Sequence, residues 1–199
     1  MCDPKHIHLI VVKHILRYVP GTIAYGLRYT SSGGVMLHGY TDSDWKGNTM
    51  DRKTTFGYCF SLGSAMISWS SRKQGSIALS TIEAKYIAAS DARREAVWLR
   101  KLLSDLFGAK LEPTIIHRDN QSCIKLFENP VFYDKSKHID MRYHYVRDMV
   151  QKNVLGIQYV PTVEQIANVL TNPLSLTKFV YFRDKLGVAE NASFVERGC

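Results

Sequence analysis

Three acidic residues stand where an acid needs a reason. Asp42 lies within Tyr40-Thr41-Asp42-Ser43-Asp44-Trp45, late in an otherwise apolar strand-like run; Glu83 opens a long helical pattern; Asp119 follows a short β-branched run. Carboxylates are hard oxygen donors of the kind Mg2+ prefers. Phosphodiester hydrolysis with two ions about 3.5–4 Å apart requires several such donors, from different elements, to converge. Ordinary explanations exist beside this one. Ser80-Thr81-Ile82-Glu83 also matches a capping box, in which the glutamate closes the first helical turn. Asp119 equally suits the cap of a helix beginning near Ser122. Asp44 falls on the same strand face as Asp42 and reads as a solvent-facing acid of the following turn.

The elements that must position these acids follow from periodicity. Ile7, Val11, Ile15 and Tyr18 form one helix face, and Pro20-Gly21 stops it. After the turn composition of Ser31-Ser32-Gly33-Gly34 come strand-like runs over residues 35–45, 54–61 and 65–71, whose short connections make an antiparallel meander. Ile82, Tyr86, Ala89, Ala92, Ala96, Leu99, Leu103 and Leu106 then form one unbroken stripe, a long amphipathic helix ended by Gly108. The remainder alternates: a strand at 114–118, helices at 122–127 and 138–152, a strand at 155–160, and helices at 163–170 and 176–186. The fold class is α/β with a mixed sheet. A strand that returns through a helix to its own sheet runs parallel to its neighbour, so 114–118 belongs beside 35–45. Asp42 and Asp119 then lie on neighbouring strands.

Composition narrows the partner. With 26 Lys and Arg against 18 Asp and Glu the formal charge is +8, which favours a polyanion. Lys46, Arg52, Lys53, Arg72 and Lys73 flank the strand turns near Trp45 and Trp69, an arrangement suited to phosphate contacts and sugar packing. Ser43 is counted with them, as are Asn120 and Gln121, which follow Asp119 and suit contacts to 2′-hydroxyls; Asn120 also suits helix capping. Cys2, Cys59, Cys123 and Cys199 show no metal-ligand spacing and read as reduced, pointing to an intracellular, reducing compartment. No leader-like segment opens the sequence, and no apolar stretch reaches the roughly 18 residues that span a bilayer. His138, Asp140 and His144 do not make a zinc site: two residues along a helix turn a side chain by about 200°, so the first two face apart.

The sequence further resembles the ribonuclease H segment of the Pol polyprotein of copia-type long-terminal-repeat retrotransposons, from about residue 15 to 188. Ile15-Leu16-Arg17-Tyr18, Gly39-Tyr40-Thr41-Asp42-Ser43-Asp44-Trp45, Asp51-Arg52-Lys53-Thr54-Thr55 and Ile67-Ser68-Trp69-Ser70-Ser71-Arg72-Lys73-Gln74 carry the resemblance. So do Leu79-Ser80-Thr81-Ile82-Glu83-Ala84-Lys85-Tyr86, Asp119-Asn120-Gln121-Ser122, Lys137-His138-Ile139-Asp140-Met141-Arg142-Tyr143-His144 and Tyr159-Val160-Pro161-Thr162. It implies a ribonuclease H-like mixed five-stranded sheet flanked by helices, with the end of the reverse-transcriptase region over 1–30, the ribonuclease H domain over 31–175 and a C-terminal helix and tail over 176–199. It implies two-ion hydrolysis of the RNA strand of RNA–DNA hybrids, with two Mg2+ (or Mn2+) held by Asp42, Glu83 and Asp119. A reverse transcriptase of a related element would be a partner, and neither a membrane nor a small-molecule cofactor would be involved.

The departures from the family pattern matter as much. The place of the fourth acid holds Asn168, which brings an amide oxygen but no charge. Lys85 stands where a second acid usually follows the glutamate, and Asn172 where lysine is usual; neither is expected to touch the metals. Tyr159 to Gln165 lacks the histidine that cellular ribonucleases H carry before their last helix. A catalytically weakened, hybrid-binding remnant is therefore the alternative reading. An integrase core ranks third, because its glutamate belongs late, after both aspartates.

Overall fold

The computed structural model describes residues 4–30, 36–44, 53–75, 81–108, 111–121, 124 and 148–191. Helix α1 (His6–Gly21) and strand β1 (Tyr25–Leu27) lead into β2 (Leu37–Asp44), β3 (Thr55–Leu62) and β4 (Ala65–Lys73). Helix α2 (Thr81–Phe107), β5 (Thr114–Arg118), β6 (Leu155–Tyr159), a 3-10 helix (Ile166–Leu170), α3 (Leu176–Lys185) and β7 (Val188–Glu190) complete the described order. Five strands form one mixed sheet in the order β4-β3-β2-β5-β6. β3 runs antiparallel to both β2 and β4, while β5 runs parallel to both β2 and β6. This is the ribonuclease H-like sheet expected, with β5 in the expected place.

Each sheet face has its own core. On one, Leu37, Phe56, Tyr58, Phe60, Ile116 and Leu155 pack against Ala88, Ala92, Ala96, Leu99 and Leu103 of α2. The alanines recur every four residues, so they share one helix face and let α2 lie close to the strands. On the other face Cys59 and Met66 meet Ile166, Ala167 and Phe182, joined by Leu27, Tyr40, Leu170 and Leu186. The Cys59 thiol is fully buried and free, and burial pushes its pKa up to about 12, so it behaves as a small hydrophobe.

The structure departs from the sequence reading in three elements. The helix expected over 163–170 is a single 3-10 helix of five residues. Its start is delayed because Gln165 is extended and its side chain accepts from the Ala167 amide, which caps the helix at that point. The second departure is an unexpected two-stranded sheet: β1 pairs antiparallel with β7, Tyr25 opposite Glu190. Three residues per strand are too few for periodicity to reveal. The third is α1, whose apolar residues Ile7, Val11, Ile15 and Tyr18 are exposed rather than facing a core. None of the described helices is long and apolar enough to cross a membrane.

Several expectations lie outside the described residues: the turn at 31–34, the helix at 122–127, most of the helix at 138–152, and His138, Asp140 and His144. Trp45, Lys46, Asp51, Arg52, Ser80, Cys2, Cys123 and Cys199 lie outside them as well.

Candidate active site

Tyr40 is level with His117 across the parallel β2–β5 pair. Two residues further along each chain come Asp42 and Asp119, brought by this register to the same sheet end on the same face. On that face Tyr40 stacks on His117, ring centroids 4.7 Å apart. Burial pulls the His117 pKa down to about 4, helped by the neighbouring His38, so at neutral pH this ring brings no positive charge to the acids.

Asp42 is buried, at 6% exposure. Burial raises its carboxyl above the ordinary carboxylate range; a hydrogen bond from Thr171 pulls it back, the Asp119 charge raises it, and Lys85 lowers it. The 3-10 helix brings Thr171 there: its hydroxyl donates to Asp42 Oδ2 at 2.6 Å. Gln165 anchors that helix. Its fully buried amide donates to the carbonyls of Thr41 on β2 at 3.2 Å and His117 on β5 at 3.4 Å. Gly57 on β3 leaves room for it, since a Cβ there would meet Leu170 Cβ at 2.6 Å. Asn168 does not turn its amide oxygen to the acids; it accepts from Asn172 Nδ2 at 2.6 Å. Asn172 Nδ2 also lies 3.5 Å from Asp42 Oδ2.

Asp119 has both oxygens engaged, Oδ1 by the Lys85 ammonium at 2.8 Å and Oδ2 by the Thr162 hydroxyl at 3.1 Å. The Lys85 and Asp119 side chains are only 18% and 12% exposed, so this ion pair is largely shielded from water. The carboxylate thus faces the site, and the neighbouring helical turn is started by the Asn120 carbonyl, which accepts from the Ile124 amide at 3.2 Å. The head of α2 is pinned by two buried polar side chains. Gln74 Nε2 donates to the Ala84 carbonyl at 2.7 Å, and the Arg118 guanidinium donates to the Lys85 carbonyl.

Of the expected ligands, the structure therefore brings Asp42 and Asp119 together, and it sets the Lys85 ammonium of α2 against Asp119. Glu83 occupies the first turn of α2, about 200° around the helix from position 85. The charged groups that shift Asp42 are Asp119 and Lys85. Among the described residues, no group of three His, Cys, Asp or Glu side chains is placed to hold a metal ion. A pair of magnesium ions, which needs several carboxylates around it, does not fit this donor set.

The basic candidates divide. β3 aligns Ser43 with Phe56 and Arg72, and Asp44 with Thr55 and Lys73. Arg72 and Lys73 therefore lie at the Asp42 end of the sheet, two strands or about 10 Å away. Both are exposed. The Arg72 guanidinium stands 5.3 Å from the Phe56 ring centroid and 3.9 Å from Asp91. Lys53, just before β3, is half-buried and Gln121 is exposed. Ser43 is buried, on the opposite strand face from Asp42. Thr171, Gln165, Gln74 and Arg118 escaped the sequence reading. Their one signal was a polar residue in or beside an apolar run.

No family model matches the chain. It is 40% identical over 185 residues, 93% of its length, to the retrovirus-related Pol polyprotein from transposon RE1 of Arabidopsis thaliana. It is 38% identical over 189 residues, 95% of its length, to that from transposon TNT 1-94 of Nicotiana tabacum. It spans 13% and 14% of those polyproteins. Among solved structures, the N-terminal RNase H domain of a Mycobacterium tuberculosis protein, solved as a fusion, matches with a TM-score of 0.52 at 15% identity, over 76% of this chain and 98% of that one. LC11-RNase H1, isolated from compost, matches with a TM-score of 0.51 at 16% identity, over 69% and 94%. At such identities the likeness is one of fold. The chain is a homologue of copia-type retrotransposon Pol polyproteins, and its fold is that of the ribonuclease H domains.

Proposed function

We propose that this chain is a ribonuclease H domain of retrotransposon descent that binds RNA–DNA hybrids and hydrolyses their RNA strand only weakly. The observation that carries this reading is the pair of strand-end carboxylates, Asp42 and Asp119, at one end of a sheet of this class. The exposed Arg72 and Lys73 at the same sheet end and the net charge of +8 support a polyanionic ligand. Full two-ion turnover through Asp42, Glu83, Asp119 and Asn168 is the stronger form of the reading. Asn168, bonded to Asn172, and Lys85, bonded to Asp119, favour the weaker form. A binding module without turnover is the second reading, favoured by the same lysine.

The division into 1–30, 31–175 and 176–199 stays a proposal about ancestry, since β1 and β7 from the two flanks pair with each other. A related reverse transcriptase as partner, and a reducing compartment suited to the free Cys59 thiol, are proposals of the same kind.

The test is cleavage of an RNA–DNA hybrid labelled on the RNA strand, with Mg2+ and Mn2+ compared. Slow cation-dependent cleavage, abolished by Asp42→Asn, supports a weak nuclease, and no cleavage with retained hybrid binding supports the second reading. Cleavage that Asp42→Asn leaves undiminished overturns the assignment of the site.

A further inference from the structure

The position of α2 that meets the strand-end acids is 85, and a cation stands there. The Lys85 ammonium lies 2.8 Å from Asp119 Oδ1 and is one of two charges that act on Asp42. Its backbone is held in place, since buried Gln74 and Arg118 bind the carbonyls of Ala84 and Lys85. Position 85 is therefore the one from which α2 reaches Asp119, whereas position 83 lies about 200° around the helix.

We propose that the Lys85 ammonium takes the place of a divalent cation in this chain, and that position 85, not 83, is where α2 contributes to the site. This rests on the reading that Asp42 and Asp119 mark the active end of the fold. The charge arithmetic is simple. Two carboxylates and one ammonium leave a single net negative charge, with Asn168 adding none. A divalent ion on Asp119 Oδ1 would sit against the ammonium, at a separation where like charges repel strongly even near a protein surface. An acid at position 85 reverses that: three carboxylates then converge on one place. Here position 85 holds lysine where the resemblance implies an acid, and 168 and 172 are both amides bonded to each other where it implies an acid and a lysine. The departures at 85 and 168 lower the site's appetite for metal; that at 172 removes a positive charge near Asp42 and only partly offsets them.

Mn2+ binding to the full chain, without nucleic acid, tests this through the loss of the free-ion electron spin resonance signal. The natural chain is expected to bind Mn2+ weakly, and its melting temperature to stay unchanged in Mg2+. Lys85→Glu should tighten Mn2+ binding by at least about 10-fold, with a melting temperature that rises as Mn2+ is added, as mass action requires. Lys85→Met, which removes the ammonium without adding an acid, should fall between them, and it keeps the test open if the glutamate variant does not fold. Adding Glu83→Gln to Lys85→Glu should leave the affinity unchanged. Tight binding of two Mn2+ by the natural chain, or loss of that binding on Glu83→Gln alone, would overturn the proposal. Hybrid binding is measured separately: if the natural chain fails to bind hybrid, the functional reading falls while the metal result stands or falls by itself.

Discussion

At the scale of single residues, Asp42 illustrates a candidate site side chain held at a cost to stability. Its folded-state carboxyl lies above the ordinary carboxylate range, chiefly because it is buried. The native fold therefore binds this proton more readily than the unfolded chain does. Below the ordinary carboxylate range Asp42 is protonated in both states and costs nothing. As pH rises through that range and past the raised folded value, ionisation favours the unfolded chain and the penalty becomes complete. Asp42→Asn is thus expected to stabilise the protein at pH 7 by about 0.5–2 kcal/mol, a gain that shrinks as pH falls towards 4. Thermal melts across pH measure this, and a destabilised variant at pH 7 would count against it. The acids themselves were legible in the sequence, because a charge inside an apolar run stands out. Which residue of α2 faces them was not. Positions 83 and 85 lie on different sides of the helix, and its rotation at this end is set by packing on the sheet together with the bonds of Gln74 and Arg118 to the Ala84 and Lys85 carbonyls.

At the scale of elements, most strands and the long helix were legible because their periods are clean, and the parallel placement of β5 followed from the helix that precedes it. The 3-10 helix was not, since its length depends on the fully buried Gln165, whose partners sit on two strands distant in sequence. Its seat on β3 depends on Gly57. Gly57→Ala would drive a methyl group into Leu170 Cβ, an atom that cannot move without its backbone, at a cost of about 1–3 kcal/mol. The same shift should loosen the Thr171 hydroxyl from Asp42. The expected result in urea unfolding is a lower midpoint with an unchanged slope. A neutral substitution would mean that the 3-10 helix is not seated as described.

At the scale of the whole molecule, the chain joins a positive overall charge to one sheet end where acids and basic residues lie about two strands apart. A hybrid laid across that end would meet Arg72 and Lys73 through its phosphates and present its RNA strand near Asp42 and Asp119. The central claim is that this face recognises RNA–DNA hybrid, whatever turnover follows. The most direct measurement is fluorescence anisotropy of a labelled hybrid of about 16 base pairs against duplex DNA of the same sequence, each over a range of salt. The account predicts tighter binding to the hybrid, affinity that falls linearly with the logarithm of salt, and a slope reduced by about 1–2 when Arg72 and Lys73 are both replaced by alanine. Equal affinity for hybrid and duplex DNA, or a slope untouched by those replacements, would contradict it.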